Sequence, residues 1–288
     1  MNSCNVCQSD RIATAFRIDP YSLSRCGRCQ HVYVSEGLAA DSLDQAYGKE
    51  YYDGSAAQTG AGYDDYLRNA DARTRGFEDR LRQIEQRVSG RGRLLDYGCA
   101  VGLFVKVAAE AGWDATGYER SAWAADYGRT TYGLNILTGD GTDPLPFKQK
   151  FDVVTMWDVL EHLEKPQDVI ASMAHWLKPG GLLALNTVNI SSVGARMAGA
   201  RWRHLAPPHH LQYFSRESLT WLLKKHGFSI LWAECKGVML EADGSSQRRG
   251  GPINAIEQVA THWRTKRIAT ALNLLDEIEV IAIKRDQP

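Results

Sequence analysis

The sequence of 288 residues has no excess of charge of either sign, because 34 Lys and Arg residues balance 34 Asp and Glu residues. No global electric field therefore draws the chain to nucleic acid or to an anionic membrane. It also has no apolar run long enough to span a bilayer and no signal-peptide pattern at its start. These absences predict a cytoplasmic protein with no membrane partner, and they argue against a nucleic-acid partner.

Cysteine is scarce, with six residues in the whole chain, yet four of them form two C-x-x-C pairs. The pairs are Cys4 with Cys7 and Cys26 with Cys29, and eighteen residues separate them. This spacing is typical of tetrahedral zinc ligation, and a redox dithiol is the alternative. Four thiolates close the coordination sphere, so the predicted Zn²⁺ is structural and has no open position for chemistry.

The dinucleotide fingerprint is also absent where a glycine turn would carry it. Residues 93–102, RLLDYGCAVG, have the pattern of a buried strand that runs into a glycine turn, and a helix should follow. A G-x-G-x-x-G pattern aligned on Gly98 would need glycine at 96 and 101, where Asp96 and Val101 stand. Asp96 would repel a pyrophosphate. It suits a cationic ligand without phosphate, such as S-adenosylmethionine (SAM).

At this stretch the sequence resembles the class I SAM-dependent methyltransferases, whose first motif is D-x-G-C/S-x-x-G. Residues 113–119 (WDATGYE) resemble their second strand, which ends in an acid, and 151–162 (FDVVTMWDVLEH) resemble the fourth strand and its turn. Residues 177–181 (LKPGG) resemble the turn before the fifth strand. Four motifs in order are specific evidence. They imply an α/β, Rossmann-like, doubly wound sheet of seven strands and methyl transfer from SAM.

The domain organisation follows from these motifs. We predict a zinc ribbon at 1–35, a linker or lid at 36–62, and a methyltransferase domain at 63–288 with an insert at about 190–215. Within that domain we predict helices at 64–88, 216–226 and 253–275, with Ser215 capping the second. Further strands are predicted at 135–137, 228–235 and 278–283, the last antiparallel to the fifth strand. The resemblance also points to a zinc-ribbon subgroup that acts on sugars, natural products and other small metabolites.

Several residues at the carboxyl ends of the strands are predicted to bind the cofactor. Glu119 follows Asp96 by 23 residues, where an acid meets the ribose hydroxyls in such sheets, although a surface acid is the alternative. The resemblance implies that Asp140 contacts the adenine amino group and that Trp157 packs beside the adenine or methionine moiety. Cys99 belongs to the turn, but packing is its main expected role. The predicted set is Asp96, Gly98, Cys99, Gly102, Glu119, Asp140, Trp157 and Asp158.

Three histidines are candidates for the base that methyl transfer to oxygen or carbon requires. His162 follows the fourth strand, and His209 and His210 lie on the insert. A structural role is the alternative for each of them. The insert is also predicted to form a wall of the acceptor pocket, with Arg201, Trp202 and Tyr213 as substrate contacts.

The sequence therefore predicts a SAM-dependent methyltransferase that acts on an oxygen or carbon of a small molecule, such as a sugar, a natural product or a related metabolite. One alternative is an RNA methyltransferase whose zinc ribbon holds RNA. A third possibility is a regulatory protein that binds SAM without turnover. The identity of the acceptor, the methylated atom, the base and the oligomeric state stay open.

Overall fold

Strands and helices alternate along most of the described chain. The computed structural model of the protein describes residues 3–36, 67, 69–139, 150–236 and 275–285. The strands are β1 (Ile12–Ile18), β2 (Tyr21–Cys26), β3 (Val32–Glu36), β4 (Arg93–Tyr97), β5 (Asp114–Glu119), β6 (Ile136–Thr138), β7 (Phe151–Met156), β8 (Leu177–Val188), β9 (Gln212–Tyr213), β10 (Phe228–Lys236) and β11 (Glu277–Lys284). The helices are α1 (Ala70–Glu85), α2 (Leu103–Glu110), α3 (Ala122–Tyr132), α4 (Pro166–Trp176), α5 (Val193–Ala198) and α6 (Arg216–Lys225), with short 3₁₀ turns at Leu160–His162 and Gly199–Arg201.

Seven strands form the main sheet, in the order β10-β11-β8-β7-β4-β5-β6. The five strands from β8 to β6 run parallel to one another. β11 runs antiparallel to both β8 and β10. The paired apolar residues of β4 and β7, such as Leu94 with Val153 and Leu95 with Val154, are fully buried, as expected for a parallel sheet covered on both faces. The predicted α/β fold with seven strands is confirmed, including the antiparallel last strand.

The helices pack through apolar stripes on both sides of this sheet. Phe77, Leu81 and Ile84 form the buried side of α1. α1 begins at Ala70 and ends at Glu85, three residues before the predicted end at 88. Ser215 caps α6 as predicted, because its side chain accepts a hydrogen bond from the backbone of Ser218. Within the residues that the structure describes, no helix is long and apolar enough to cross a membrane.

Some predicted elements fall partly or wholly beyond the described residues. These include the linker from residue 37 onward, Asp140, and residues 253–274 of the predicted third helix. The predicted third strand of the domain is β6, which runs from 136 to 138 instead of 135 to 137.

A second, smaller sheet joins the N-terminal segment to the insert. Its order is β1-β2-β3-β9, all antiparallel, so the insert supplies the fourth strand. Val32 pairs with Tyr213, and Tyr33 pairs with Gln212. Nε2 of the buried His31 lies 2.9 Å from Oε1 of Gln212. The N-terminal segment is thus hydrogen-bonded to residues about 180 positions later in the sequence. The predicted domain boundaries, at residues 35 and 63, stay predictions.

Candidate cofactor and acceptor site

The turn after β4 can only be built with glycine at two positions. Gly98 has φ +76°, and a Cβ there would lie 2.4 Å from Cγ2 of Val159. Gly102, the N-cap residue of α2, has φ +85°, and a Cβ there would lie 2.6 Å from Cδ1 of Leu134. Both positions need the left-handed conformation, and a side chain at either would overlap Val159 or Leu134, so the tight turn requires glycine there. A glycine turn at the start of a helix is a common ligand site, because the first backbone N–H groups of a helix have no partner within it.

Glu119, at the carboxyl end of β5, holds this turn in place. Its Oε2 accepts a hydrogen bond of 2.8 Å from the backbone N–H of Ala100, and its Oε1 accepts one of 2.8 Å from Ser121. The side chain is buried, with an exposed fraction of 5%. Each carboxylate oxygen has two lone pairs, so these bonds leave the geometry compatible with the predicted ribose contact. Glu119 therefore shapes the cofactor turn whichever ligand it meets.

The carboxyl of Asp96 lies beneath the turn and faces β7. Its Oδ1 accepts a hydrogen bond of 2.7 Å from Oγ1 of Thr155. Burial raises the pKa of Asp96 to about 7, and the nearby charge of Glu119 adds to that rise. Asp96 can attract a cationic cofactor only when this carboxyl is ionised, and its contact with the cofactor stays a prediction.

Two other residues of the predicted cofactor set pack within the protein. Cys99 belongs to a buried cluster with Val105, Ala125 and Ile136. The ring of Trp157 contacts Phe104 edge-on, at 5.3 Å between centroids, and the guanidinium of Arg80 lies 4.6 Å from its centre. The indole Nε1 of Trp157 is buried without a hydrogen-bond partner among the described residues. Packing of Trp157 beside the adenine or methionine moiety stays a prediction.

Asp158 has a strained backbone that is fixed by a buried amide. Its φ is +55°, a conformation in which aspartate is several times more common than most residues. Asn186 of β8 accepts a hydrogen bond of 2.9 Å from the Asp158 N–H and donates one of 2.5 Å to its Oδ1. Sequence reasoning missed Asn186 and the neighbouring Thr187. The signal was two polar residues at the carboxyl end of an otherwise apolar strand.

His162 and His210, far apart in sequence, meet at the end of β7. Their rings lie 4.9 Å apart between centroids and nearly at right angles, at 81°. Nδ1 of His162 lies 2.7 Å from the backbone oxygen of His209, and Nδ1 of His210 lies 2.8 Å from that of His204. A carbonyl oxygen only accepts, so each Nδ1 donates and the lone pair of each neutral ring is on Nε2. Burial lowers the pKa of both rings, to about 4 for His162 and about 3 for His210.

Glu161 completes a group of three with these histidines. One ligand atom from each of Glu161, His162 and His210 lies within 4.8 Å of the others. The Glu161 carboxyl is 2% exposed and accepts a hydrogen bond of 2.9 Å from Oγ1 of Thr187. Burial raises its pKa to about 8, with the charge of Asp158 as the second cause. The structure therefore brings two of the predicted base candidates together and adds the carboxyl of Glu161, which is not among the predicted site residues.

The other predicted acceptor residues have different surroundings. His209 is partly buried, burial lowers its pKa, and its Nδ1 has no hydrogen-bond partner within the described segments. Trp202 and Tyr213 are buried. Nε1 of Trp202 donates a hydrogen bond to Asp276, and the hydroxyl of Tyr213 donates one to the backbone oxygen of His210. Arg201 is exposed. Trp202 and Tyr213 support the insert from inside, and a direct substrate contact by any of the three residues stays a prediction.

The four N-terminal cysteines come together as a cluster that can hold a metal ion. The Sγ atoms of Cys4 and Cys29 lie 3.6 Å apart, and those of Cys7 and Cys26 lie 3.5 Å apart. A tetrahedral zinc site with Zn–S bonds of about 2.3 Å has sulfurs about 3.8 Å apart, so the cluster fits that ion. Backbone N–H groups of Val6 and Arg28 also point at two of the sulfurs. All four cysteines are free thiols.

The structure has the defining features of a class I SAM-dependent methyltransferase. These are a doubly wound sheet of seven strands, a D-x-G-C-x-x-G turn and an acid at the end of the next strand. Comparison with known families agrees, because a family profile described as "Methyltransferase domain" matches residues 66–232. The chain belongs to this methyltransferase family. The match does not include the N-terminal cysteine cluster, so membership of a zinc-ribbon subgroup stays a prediction.

Curated relatives share part of the chain. Two are ubiquinone biosynthesis O-methyltransferases. The protein from Coxiella burnetii (strain RSA 493 / Nine Mile phase I) is 32% identical over 123 residues, which are 38% of this chain and 50% of the relative. The protein from Actinobacillus pleuropneumoniae serotype 7 (strain AP76) is 34% identical over 122 residues, which are 38% of this chain and 52% of the relative. The chain thus spans about half the length of these curated relatives.

Solved structures share the fold at low sequence identity. The magnesium protoporphyrin IX methyltransferase of Synechocystis PCC 6803, with bound SAH, has a TM-score of 0.55 and 15% identity, covering 84% of this chain and 98% of its own. A SAM-dependent methyltransferase of Archaeoglobus fulgidus has a TM-score of 0.52 and 19% identity, covering 76% of this chain and 99% of its own. At these identities the likeness shows the fold alone.

Proposed function

We propose that the protein transfers the methyl group of SAM to an oxygen or carbon atom of a small molecule, with oxygen as the favoured acceptor. One observation carries this proposal. The glycine turn with Glu119 and the Glu161–His162–His210 group lie at the carboxyl ends of neighbouring parallel strands, β4 with β5 and β7. Ligands of doubly wound sheets bind in the crevice at that edge. The names of the curated relatives favour oxygen and a small molecule.

On the cofactor side, the proposed contacts combine backbone and carboxylate groups. The turn from Gly98 to Gly102 offers its backbone to the methionine end, and Glu119 accepts from the ribose hydroxyls. Asp96 favours the positive charge of SAM from below, and Asp158 lies at the acceptor end. Asp140, which the resemblance assigns to adenine, belongs to the same proposal although it lies outside the described residues.

On the acceptor side, the reaction is an in-line displacement. The acceptor oxygen forms a bond to the methyl carbon, the bond from that carbon to sulfur breaks, and its electron pair stays on sulfur in the product S-adenosylhomocysteine (SAH). The hydroxyl proton passes to a base, for which we propose His210 or His162 through Nε2, with His209 as the alternative. Arg201 is proposed to attract an acceptor with a polar or anionic group.

We also propose that the four cysteines hold one structural Zn²⁺. The sulfur spacing and the two backbone N–H groups that face the thiols support this assignment. When bound, the ion supplies folding energy to a segment too small to build a large core of its own. It has no open coordination position, so no step of the reaction is assigned to it.

Calorimetry with SAH tests the cofactor site. Glu119→Gln replaces one acceptor oxygen by an NH₂ group that faces a backbone N–H, so at least one charge-assisted bond worth about 1.5–3 kcal/mol is lost. We expect SAH binding to weaken about tenfold or more. Glu110→Gln is the matched control, because this exposed glutamate lies on α2 and forms an ion pair with Lys106 on the same helix. Equal affinities in the two variants would refute the cofactor role of Glu119.

A turnover assay tests the acceptor class. The protein is incubated with SAM and either a fractionated small-metabolite extract or total RNA, and SAH formation is measured by mass spectrometry. We expect SAH to accumulate only with the metabolite extract. Methylated RNA would replace this proposal by the RNA alternative, and binding of SAM without turnover on either substrate would favour a regulatory protein.

A further inference from the structure

We propose that Gln212 is a positioning residue, whose buried side-chain amide ties the cysteine cluster to the 3₁₀ turn Leu160–His162. This bridge consists of the hydrogen bonds of the amide to Asn5, His31 and Leu163. Its consequence for turnover rests on the proposed function, whereas the bridge itself does not. Gln212 lies on β9 and is 2% exposed, so its amide has to find its partners within the protein.

The oxygen of the amide faces the cysteine cluster. Oε1 of Gln212 accepts a hydrogen bond of 2.9 Å from Nδ2 of Asn5, which directly follows Cys4. It accepts a second one, also of 2.9 Å, from Nε2 of the buried His31, two residues after Cys29. Both lone pairs of this oxygen are therefore used by the two segments that carry the cysteines.

The nitrogen of the same amide faces the turn after β7. Nε2 of Gln212 donates a hydrogen bond of 2.9 Å to the backbone oxygen of Leu163 and lies 3.5 Å from that of Glu164. These two residues directly follow the 3₁₀ turn Leu160–His162. A carbonyl oxygen only accepts, so the amide nitrogen has to be on this side and the amide oxygen on the side of the cluster.

Two more hydrogen bonds align the insert with this turn. The backbone N–H of Leu211 donates one of 2.7 Å to the backbone oxygen of Glu161. Nδ1 of His162 donates one of 2.7 Å to the backbone oxygen of His209. Gln212 extends this series of contacts to the cysteine cluster. Loss of the bridge should therefore let the ring of His162 move, and a misplacement of about 1 Å can lower a reaction rate about 10²-fold.

Three substitutions separate the bridge from general packing. Gln212→Met keeps nearly the volume of the side chain but removes its donor and its acceptor. Asn5→Ala removes one bond on the side of the cluster and leaves the bond to Leu163 in place. Gln167→Met is the matched control, because this glutamine of α4 also accepts from a distant segment, at Lys225. Calorimetry with SAH shows whether each variant keeps a folded cofactor domain.

The first readout is the ring of His162, and it needs no acceptor. In the full-length protein labelled with ¹⁵N-histidine, NMR distinguishes protonated from unprotonated ring nitrogens, and His162→Gln identifies the signals of this residue. We expect the wild type and Gln167→Met to carry the proton on Nδ1, and Gln212→Met to show a mixture of both tautomers. Unchanged signals in a Gln212→Met protein that binds SAH would overturn the proposal. If that variant does not fold, unchanged signals in Asn5→Ala would overturn it instead.

The second readout is SAH formation with SAM and the metabolite fraction that supports turnover by the wild type. At saturating SAM, we expect Gln212→Met to lower the rate about 10–100-fold with the Michaelis constant for SAM unchanged. Asn5→Ala should lower the rate about two- to tenfold, as expected for one neutral hydrogen bond. In the Gln212→Met background, Asn5→Ala should have no further effect, because the bond that it removes is already absent.

The outcomes separate this proposal from the proposed function. An equal loss of rate on Asn5→Ala in both backgrounds would show that the cluster acts by another route, and it would overturn the bridge. Full turnover by Gln212→Met would overturn the positioning role. Altered His162 signals in Gln212→Met, together with no turnover of any metabolite fraction by the wild type, would support the bridge and refute the proposed function.

Discussion

The substitution Asp96→Asn should make the protein more stable at alkaline pH. The Asp96 carboxyl is 2% exposed, and burial raises its pKa from 3.8 to about 7. Asparagine keeps an oxygen for the hydrogen bond from Thr155. Its NH₂ group stands where the protonated carboxyl has its O–H. The variant therefore preserves the shape and bonding of the neutral acid and removes only its ionisation.

The sign and size of the effect follow from the pKa difference between the folded and unfolded chains. The folded state keeps the proton between about pH 4 and pH 7, where the unfolded chain has lost it, so stability falls as pH rises through this window. The rise of about three pKa units, at 1.36 kcal/mol each, gives at most about 4 kcal/mol. A change from pH 5 to pH 8 covers about two of these three pKa units. Over that change, the free energy of unfolding of Asp96→Asn should rise by about 3 kcal/mol relative to that of the wild type.

Urea denaturation of the wild type and the variant at a series of pH values measures this gain. The control is Asp114→Asn, because Asp114 is largely exposed at the start of β5. We expect the stability difference between Asp96→Asn and the wild type to grow with pH, and that for Asp114→Asn to stay flat. Parallel curves for the wild type and Asp96→Asn would refute the reasoning that burial keeps this carboxyl protonated. At pH 8, where the wild-type carboxyl is ionised, SAM binding should weaken in the same variant, because that negative charge is lost.

Two further predictions concern the turn and the cysteine cluster. Gly98→Ala should lower the free energy of unfolding by about 1–2 kcal/mol for its left-handed backbone, and by more for the overlap with Val159. Gly133→Ala, with φ +67° and nothing within 4 Å, should show only the backbone cost. Equal losses of stability in urea denaturation would contradict this prediction. Cys29→Ser should lower the zinc content measured by mass spectrometry by about one ion per chain. It should also reduce methyl transfer while SAH still binds, because β3 pairs with β9, which begins two residues after His210. Full turnover by the zinc-free variant would show that the cluster does not support the acceptor side.

The sequence predicted the main sheet because each strand carries its own local signal. Apolar runs at β4, β7 and β8 and the glycine turn are readable within a few residues, and their order along the chain restricts the topology. The cofactor side depends on the same short segments. For this reason the sequence alone assigns Gly98 and Gly102 to the turn and Glu119 to the end of the neighbouring strand.

The acceptor side was harder to predict because it depends on contacts between distant segments. β9 has only two residues, and no local periodicity marks a strand of that length. The meeting of His162 with His210 joins residues 48 positions apart in sequence. Trp202 and Tyr213 illustrate the same difficulty, since an aromatic residue on an insert fits a pocket wall and a buried core equally well. Only the fold places these two side chains inside.

The pairing of β3 with β9 has a consequence for how this chain is made and how it could be altered. β3 pairs with a strand that is synthesised about 180 residues later, so the segment from β1 to β3 waits for the insert before the edge of β3 is covered. A truncated protein without β1 to β3 would expose the edge of β9 as a template for association between copies. Grafting the N-terminal segment onto another methyltransferase would likewise require its insert, and the two should be inherited and exchanged as one unit.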